Sequence, residues 1–143
     1  MLERERGERW RTRARIFALL AGAMDTTTGA LLVAAPGFTL RLMGIGMAEG
    51  TSPYIRFVGA FVLGVGLSYF PPFLRDGRQR CDVALRGVFV TTGLIRLSVA
   101  LFTGFGVLGG ILVLPWLSVT VSDFALATLQ ALIVRSKVLD GEN

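Results

Sequence analysis

Residues 16–35 read IFALLAGAMDTTTGALLVAA, twenty residues with one charge, Asp25, and Pro36-Gly37 follows directly. A helix rises about 1.5 Å per residue, so this run has the length needed to cross the roughly 30 Å of hydrocarbon in a bilayer. The composition agrees: of 143 residues, 52% are hydrophobic and only 17% charged, and the mean hydropathy is +0.62. Such a chain has too little polar surface for water, and we read it as an integral membrane protein. The net charge of +5 does not suggest nucleic acid, because the basic residues lie between apolar segments rather than along a stripe of a soluble domain.

Outward from the first span, residues 37–53 form a connection containing Arg41, Glu49 and the interfacial-looking run RLMGIGM (41–47). A second span covers about residues 54–72 and stops at Pro71-Pro72, which cannot continue a helix. The charged loop RDGRQRCD (75–82) precedes a third span over about 83–103, and the glycine-rich TGFGVLGG (103–110) reads as the next turn. A fourth span runs over about 113–135, opening most simply at Pro115. Residues 106–114 are either a re-entrant segment or a kinked extension of that last helix.

The fold expected is therefore all-α, a four-helix transmembrane bundle of up-down topology. Residues 1–15 form a basic arm, 16–135 the membrane domain and 136–143 a tail. Orientation follows from the arginines and lysines. Arg4, Arg6, Arg9, Arg11, Arg13 and Arg15 lie in the arm, Arg75, Arg78 and Arg80 in the second loop, and Arg135 and Lys137 in the tail. The other two loops carry only Arg41, which by the positive-inside rule puts both termini in the cytoplasm with an even number of spans. The alternative of a cleaved signal peptide over residues 1–35 fits poorly with Asp25 and the long charged arm. The arm itself, LERERGERWRTRAR, is expected to lie along the headgroups with Trp10 as anchor and either anionic lipid or a protein as its partner.

Four ionisable residues stand out within the spans: Asp25, Arg56, Arg96 and Asp123. Each costs roughly 2.5–3.5 kcal/mol to insert and so turns inward to find partners. Counted from the ends of their helices, Asp25, Arg96 and Asp123 share a depth of about 12–15 Å. Arg56 lies near its helix start and can either snorkel out or complete a neutral set of two acids and two arginines. Small and polar residues share the same faces: Thr28 with Asp25, Thr92 with Arg96, and Thr120 and Gln130 with Asp123. Two readings stand side by side, an internal clamp that fixes helix pairing and a site for protonation or for a polar ligand.

The segments AMDTTTGALLVAAP, YIRFVGAFVLGVGLSYF, RGVFVTTGLIRLSVALFTG and PWLSVTVSDFALATLQAL together resemble small bacterial four-helix membrane proteins of the DoxX-like group, over residues 16–135. The resemblance implies an up-down bundle and an accessory role beside a membrane oxidoreductase or another complex, and relatives are linked to thiol and quinone redox systems. This chain departs from a redox role of its own, since it has no histidine and a single cysteine, Cys81. The same absence removes most metal and haem ligand sets and any Ser-His-Asp triad, so Ser118, Ser122 and Thr120 beside Asp123 have no activating base. No P-loop is present. We therefore expect no catalysis, no cofactor and no metal. The function expected is an accessory, scaffold or binding subunit that packs on a membrane protein or on itself. The alternative is a small proton-coupled transporter, or a bundle that binds a polar ligand or quinone through Asp25, Asp123, Arg96 and Thr92.

Overall fold

The computed structural model describes residues 2–140, with side chains from residue 7 onward. The side chains of Arg4 and Arg6 and the last three residues of the tail lie outside what is described. Five α-helices and two short 3-10 turns make up these residues, with no strand among them. Four segments are long and apolar enough to cross a membrane: Gly7–Ala34, Ser52–Leu74, Arg78–Leu108 and Leu114–Arg135.

Helix α1, Leu2–Ala34, is unbroken for 33 residues. The arm is thus the first turns of the first span, not a separate helix along the headgroups. Nothing between Glu3 and Ile16 breaks a helix apart from Gly7, and the Arg13 guanidinium sits 5.3 Å from the Trp10 ring, a stabilising cation–π contact. Pro36 then occupies the first turn of a short helix α2, Pro36–Leu42, inside the segment read as a loop. Its Leu40, with Ile45, buries against Leu32 of α1, packed by Ile55 and Trp116.

Helix α3 spans Ser52–Leu67, and the 3-10 turn Pro71–Leu74 closes the second span where the two prolines forbid further α-helix. Helix α4, Arg78–Leu108, starts after Gly77 (φ 89°) and extends beyond the read span at both ends. Gly104 and Gly106 stay helical within it. Hydrocarbon supplies no alternative partner for a backbone amide, so glycine breaks a spanning helix far less readily than a soluble one. The chain turns only at Gly110 (φ 71°), where the amides of Ile111 and Leu112 both donate to the Gly106 carbonyl, at 2.8 and 3.0 Å. Residues 106–113 are therefore neither re-entrant nor an extension of the fourth span: they finish α4 and turn, and only Leu114 belongs to the fourth segment. A second 3-10 turn, Leu114–Trp116, leads into α5, Leu117–Arg135.

The helices pack as two pairs, α1 with α3 and α4 with α5. Glycine makes the first pair possible. A Cβ on Gly29 would lie 2.3 Å from the Leu63 amide nitrogen, and one on Gly66 would lie 2.4 Å from the Thr26 nitrogen. Gly22 and Gly29 on α1 face Gly66 and Gly59 on α3, each pair two helical turns apart, so the backbones touch directly. The pairs meet through a core at the basic end, where Ala18, Tyr69, Leu85, Phe89 and Leu139 are buried and the Phe17 and Phe89 rings lie 5.8 Å apart. Outward faces carry exposed Leu20, Phe57, Phe102, Phe105 and Val121, as a lipid-facing surface requires.

The same end is tied by polar bonds. Arg15 donates to the Asp82 carboxylate at 2.8 Å and to the Arg78 carbonyl at 3.2 Å. Arg11 donates to the Val138 carbonyl at 2.9 Å, and Arg86 pairs with Asp140 at 3.0 Å. These bonds gather the start of α1, the start of α4 and the tail at one place. Cys81 is buried in the adjacent core and exposes almost nothing for modification.

Candidate functional site: an arginine shared by two aspartates

The site is built from three helical stripes. On α4 the buried positions Phe89, Thr92, Arg96, Ala100 and Thr103 recur every three or four residues and face inward. On α1 the buried stripe Ala14, Ala18, Ala21 carries on to Asp25. On α5, Asp123 shares a face with buried Ala127 and Gln130. Where the stripes meet, Arg96 is 5% exposed and Asp25 7%.

Arg96 joins the two pairs of helices. One terminal nitrogen, Nη2, donates to Asp25 Oδ2 at 2.5 Å, and the other, Nη1, donates to Asp123 Oδ1 at 2.6 Å. A planar guanidinium can serve two carboxylates at once in this way, whereas a lysine ammonium is a single point charge. The Arg96 Nε has no hydrogen-bond partner among the described residues. Two carboxylates on one guanidinium leave a formal excess of one negative charge when all three groups are ionised.

Arg56 is not part of this set. It is exposed near the start of α3 and donates to the Val33 carbonyl, in the last turn of α1. Because α1 ends one residue later, that carbonyl has lost its intrahelical partner, and a cation there also suits the helix dipole. The neutral cluster of two acids and two arginines expected from the sequence is replaced by a set of two acids and one arginine.

Tyr69, unanticipated in the sequence, brings the second span to the site. It is fully buried just beyond α3 and has electrostatic contact with the Arg96 guanidinium. Its hydroxyl donates to Thr92 Oγ1 at 2.9 Å and accepts from the Gln130 amide, which also donates to Thr92 Oγ1 at 3.1 Å. Thr92 in turn donates to the Val88 carbonyl at 2.7 Å. All four spans thus contribute a polar side chain to one connected interior network. Replacing Tyr69 by phenylalanine removes one donor and one acceptor from it while keeping the ring. Tyr69→Phe is expected to lower stability by about 1–2 kcal/mol, read as an earlier unfolding transition in detergent at unchanged helix content.

The remaining positions fall beside this network. Thr120 lies one turn from Asp123, and its hydroxyl meets that of Thr103 at 2.8 Å. Thr28 is half-buried on α1 without a hydrogen bond among the described residues. Ser118 and Ser122 are exposed and donate to carbonyls of their own helix segment, Pro115 and Val119, at 2.8 and 3.1 Å. Comparison with models of protein families, with curated proteins and with solved structures gives no match.

Proposed function

We propose that this chain is a non-catalytic integral membrane protein whose Asp25–Arg96–Asp123 clamp locks two helical hairpins into a platform for a membrane partner or a second copy. In this reading the bundle is up-down, with the basic end and both termini on the cytoplasmic side of a bacterial inner membrane. The observation that carries it is the engagement of both Arg96 terminal nitrogens with carboxylates from two different helices. Such a centre is spent on holding structure, and few of its charged atoms remain for a substrate. The little-covered α5 leaves an open flank on which a partner helix can pack. The DoxX-like resemblance supports the same role, an accessory subunit beside a membrane oxidoreductase or another complex.

The test is in-membrane crosslinking from α5, at Val121 and Phe124, followed by mass spectrometry. The expected result is one stoichiometric adduct, either with the same chain or with a single membrane protein. A chain that stays monomeric and unlinked in its native membrane contradicts the proposal.

The charge excess favours one second reading, a proton-coupled bundle in which Asp123 takes up the compensating proton. Its side chain is the more open of the two carboxylates, 17% exposed against 9% for Asp25. Proton flux into vesicles that vanishes in a folded Asp123→Asn variant would favour this reading over the platform. A polar ligand or quinone at Arg96 and Thr92 would have to displace bonds that these side chains already make.

A further inference from the structure

We propose that the groove between α3 and α4 holds an acyl chain of an anionic phospholipid whose phosphate rests on Arg75. The inference requires only that the chain lies in a bilayer and does not depend on the platform or on the clamp.

The groove encloses about 660 Å³, within the roughly 300–1,000 Å³ of small-molecule sites. It lies between α3 and α4, which belong to different pairs. Small residues line it from both sides, Ala60 and Gly64 on α3 and Ala84 and Gly87 on α4. These two glycines differ from those of the α1–α3 seam. A Cβ on Gly22, Gly29, Gly59 or Gly66 would press into a neighbouring helix, but a Cβ on Gly64 or Gly87 would meet no atom within 4 Å. Contacts within this chain therefore give no reason for glycine at either position, although glycine is disfavoured in helix interiors. What they do is keep a channel open toward the lipid.

The dimensions and the charge select the occupant. Along α4 the groove runs from Ala84 to Ile95, a rise of about 16 Å, which is close to half the roughly 30 Å hydrocarbon thickness and so to one leaflet. At the end nearest the basic cluster it opens between the 3-10 turn Pro71–Leu74 and Arg75. Arg75 is exposed and has no ion pair among the described residues, whereas Arg15 and Arg86 at the same end are paired with Asp82 and Asp140. The neighbouring Asp76 does not line the groove. A long apolar slot with an uncommitted guanidinium at its headgroup end fits an anionic phospholipid, whose acyl chain fills the slot and whose phosphate meets Arg75.

The experiment is native mass spectrometry of the full chain released from nanodiscs of equal phosphatidylglycerol and phosphatidylcholine. The wild type is compared with Gly64→Leu/Gly87→Leu, which fills the slot, and with Arg75→Gln, at an exposed site away from the packed interior. The wild type is expected to retain one phosphatidylglycerol, at least tenfold over phosphatidylcholine. The filled variant should lose at least tenfold in retention at unchanged helix content, and Arg75→Gln should keep a lipid but lose the preference for phosphatidylglycerol. A wild type that retains no lipid overturns the proposal. So does equal phosphatidylglycerol preference in wild type and Arg75→Gln, whether or not the filled variant folds. Conversion of a wild-type dimer to monomer in the filled variant, without any lipid change, would assign the groove to a second copy instead.

Discussion

Arg96→Ala is expected to lose about 3–5 kcal/mol of stability, the usual cost of removing one partner from a buried ion pair. The size comes from what is left behind rather than from the bonds removed. Asp25 and Asp123 would face each other across a cavity in a low-dielectric interior, without the guanidinium that pairs with both. The two helix pairs, which meet mainly through this centre and the core at the basic end, would separate more readily than either pair would melt. Arg96→Lys should fall between wild type and alanine, because an ammonium keeps the charge without the fork that reaches both acids. Denaturant unfolding in detergent micelles, followed by circular dichroism, gives the order: wild type most stable, then lysine, then alanine.

The second large effect is expected at Gly29. Even alanine there places its Cβ 2.3 Å from the Leu63 nitrogen and 2.6 Å from the Leu63 Cα. Those are backbone atoms, so no rotamer change relieves the contact and α1 must move away from α3. Overpacking of this kind costs about 1–3 kcal/mol, and Gly29→Leu should prevent the pair from forming. Gly64→Ala is the control. It adds the same methyl group to α3 in open space and should be neutral or slightly stabilising, by up to about 1 kcal/mol. Thermal unfolding of the two alanine variants side by side separates a packing requirement at Gly29 from any general sensitivity of these helices to loss of glycine.

Much of the fold was legible because hydrocarbon thickness is a hard ruler. Apolar runs of spanning length, bounded by Pro36, Pro71-Pro72 and Pro115, locate four spanning segments in sequence and structure alike. Depth counting also put Asp25, Arg96 and Asp123 in one layer, and the structure brings those three together. Counting left Arg56 two courses, outward or down to the cluster, because a depth says nothing about which backbone acceptor a long side chain will find, and the Val33 carbonyl is freed only by where α1 stops. Tyr69 sits beside Pro71 at the end of a span, where tyrosine commonly anchors at the interface. Its burial depends on the space that Gly22 leaves on α1, a tertiary fact that no local pattern carries. The length of α4 was hidden for another reason: Gly104 and Gly106 carry a turn signature calibrated on water-exposed helices.

The clamp is tested most directly by charge balance. Arg96→Gln should be strongly destabilised relative to wild type in matched micelles. Adding Asp25→Asn and Asp123→Asn to it should restore most of the loss, because the interior is then neutral and its amides can hydrogen-bond to one another. Recovery of the triple variant to within about 1 kcal/mol of wild type is the result expected of a structural clamp. A triple variant no more stable than Arg96→Gln, or an Arg96→Gln as stable as wild type, would contradict it.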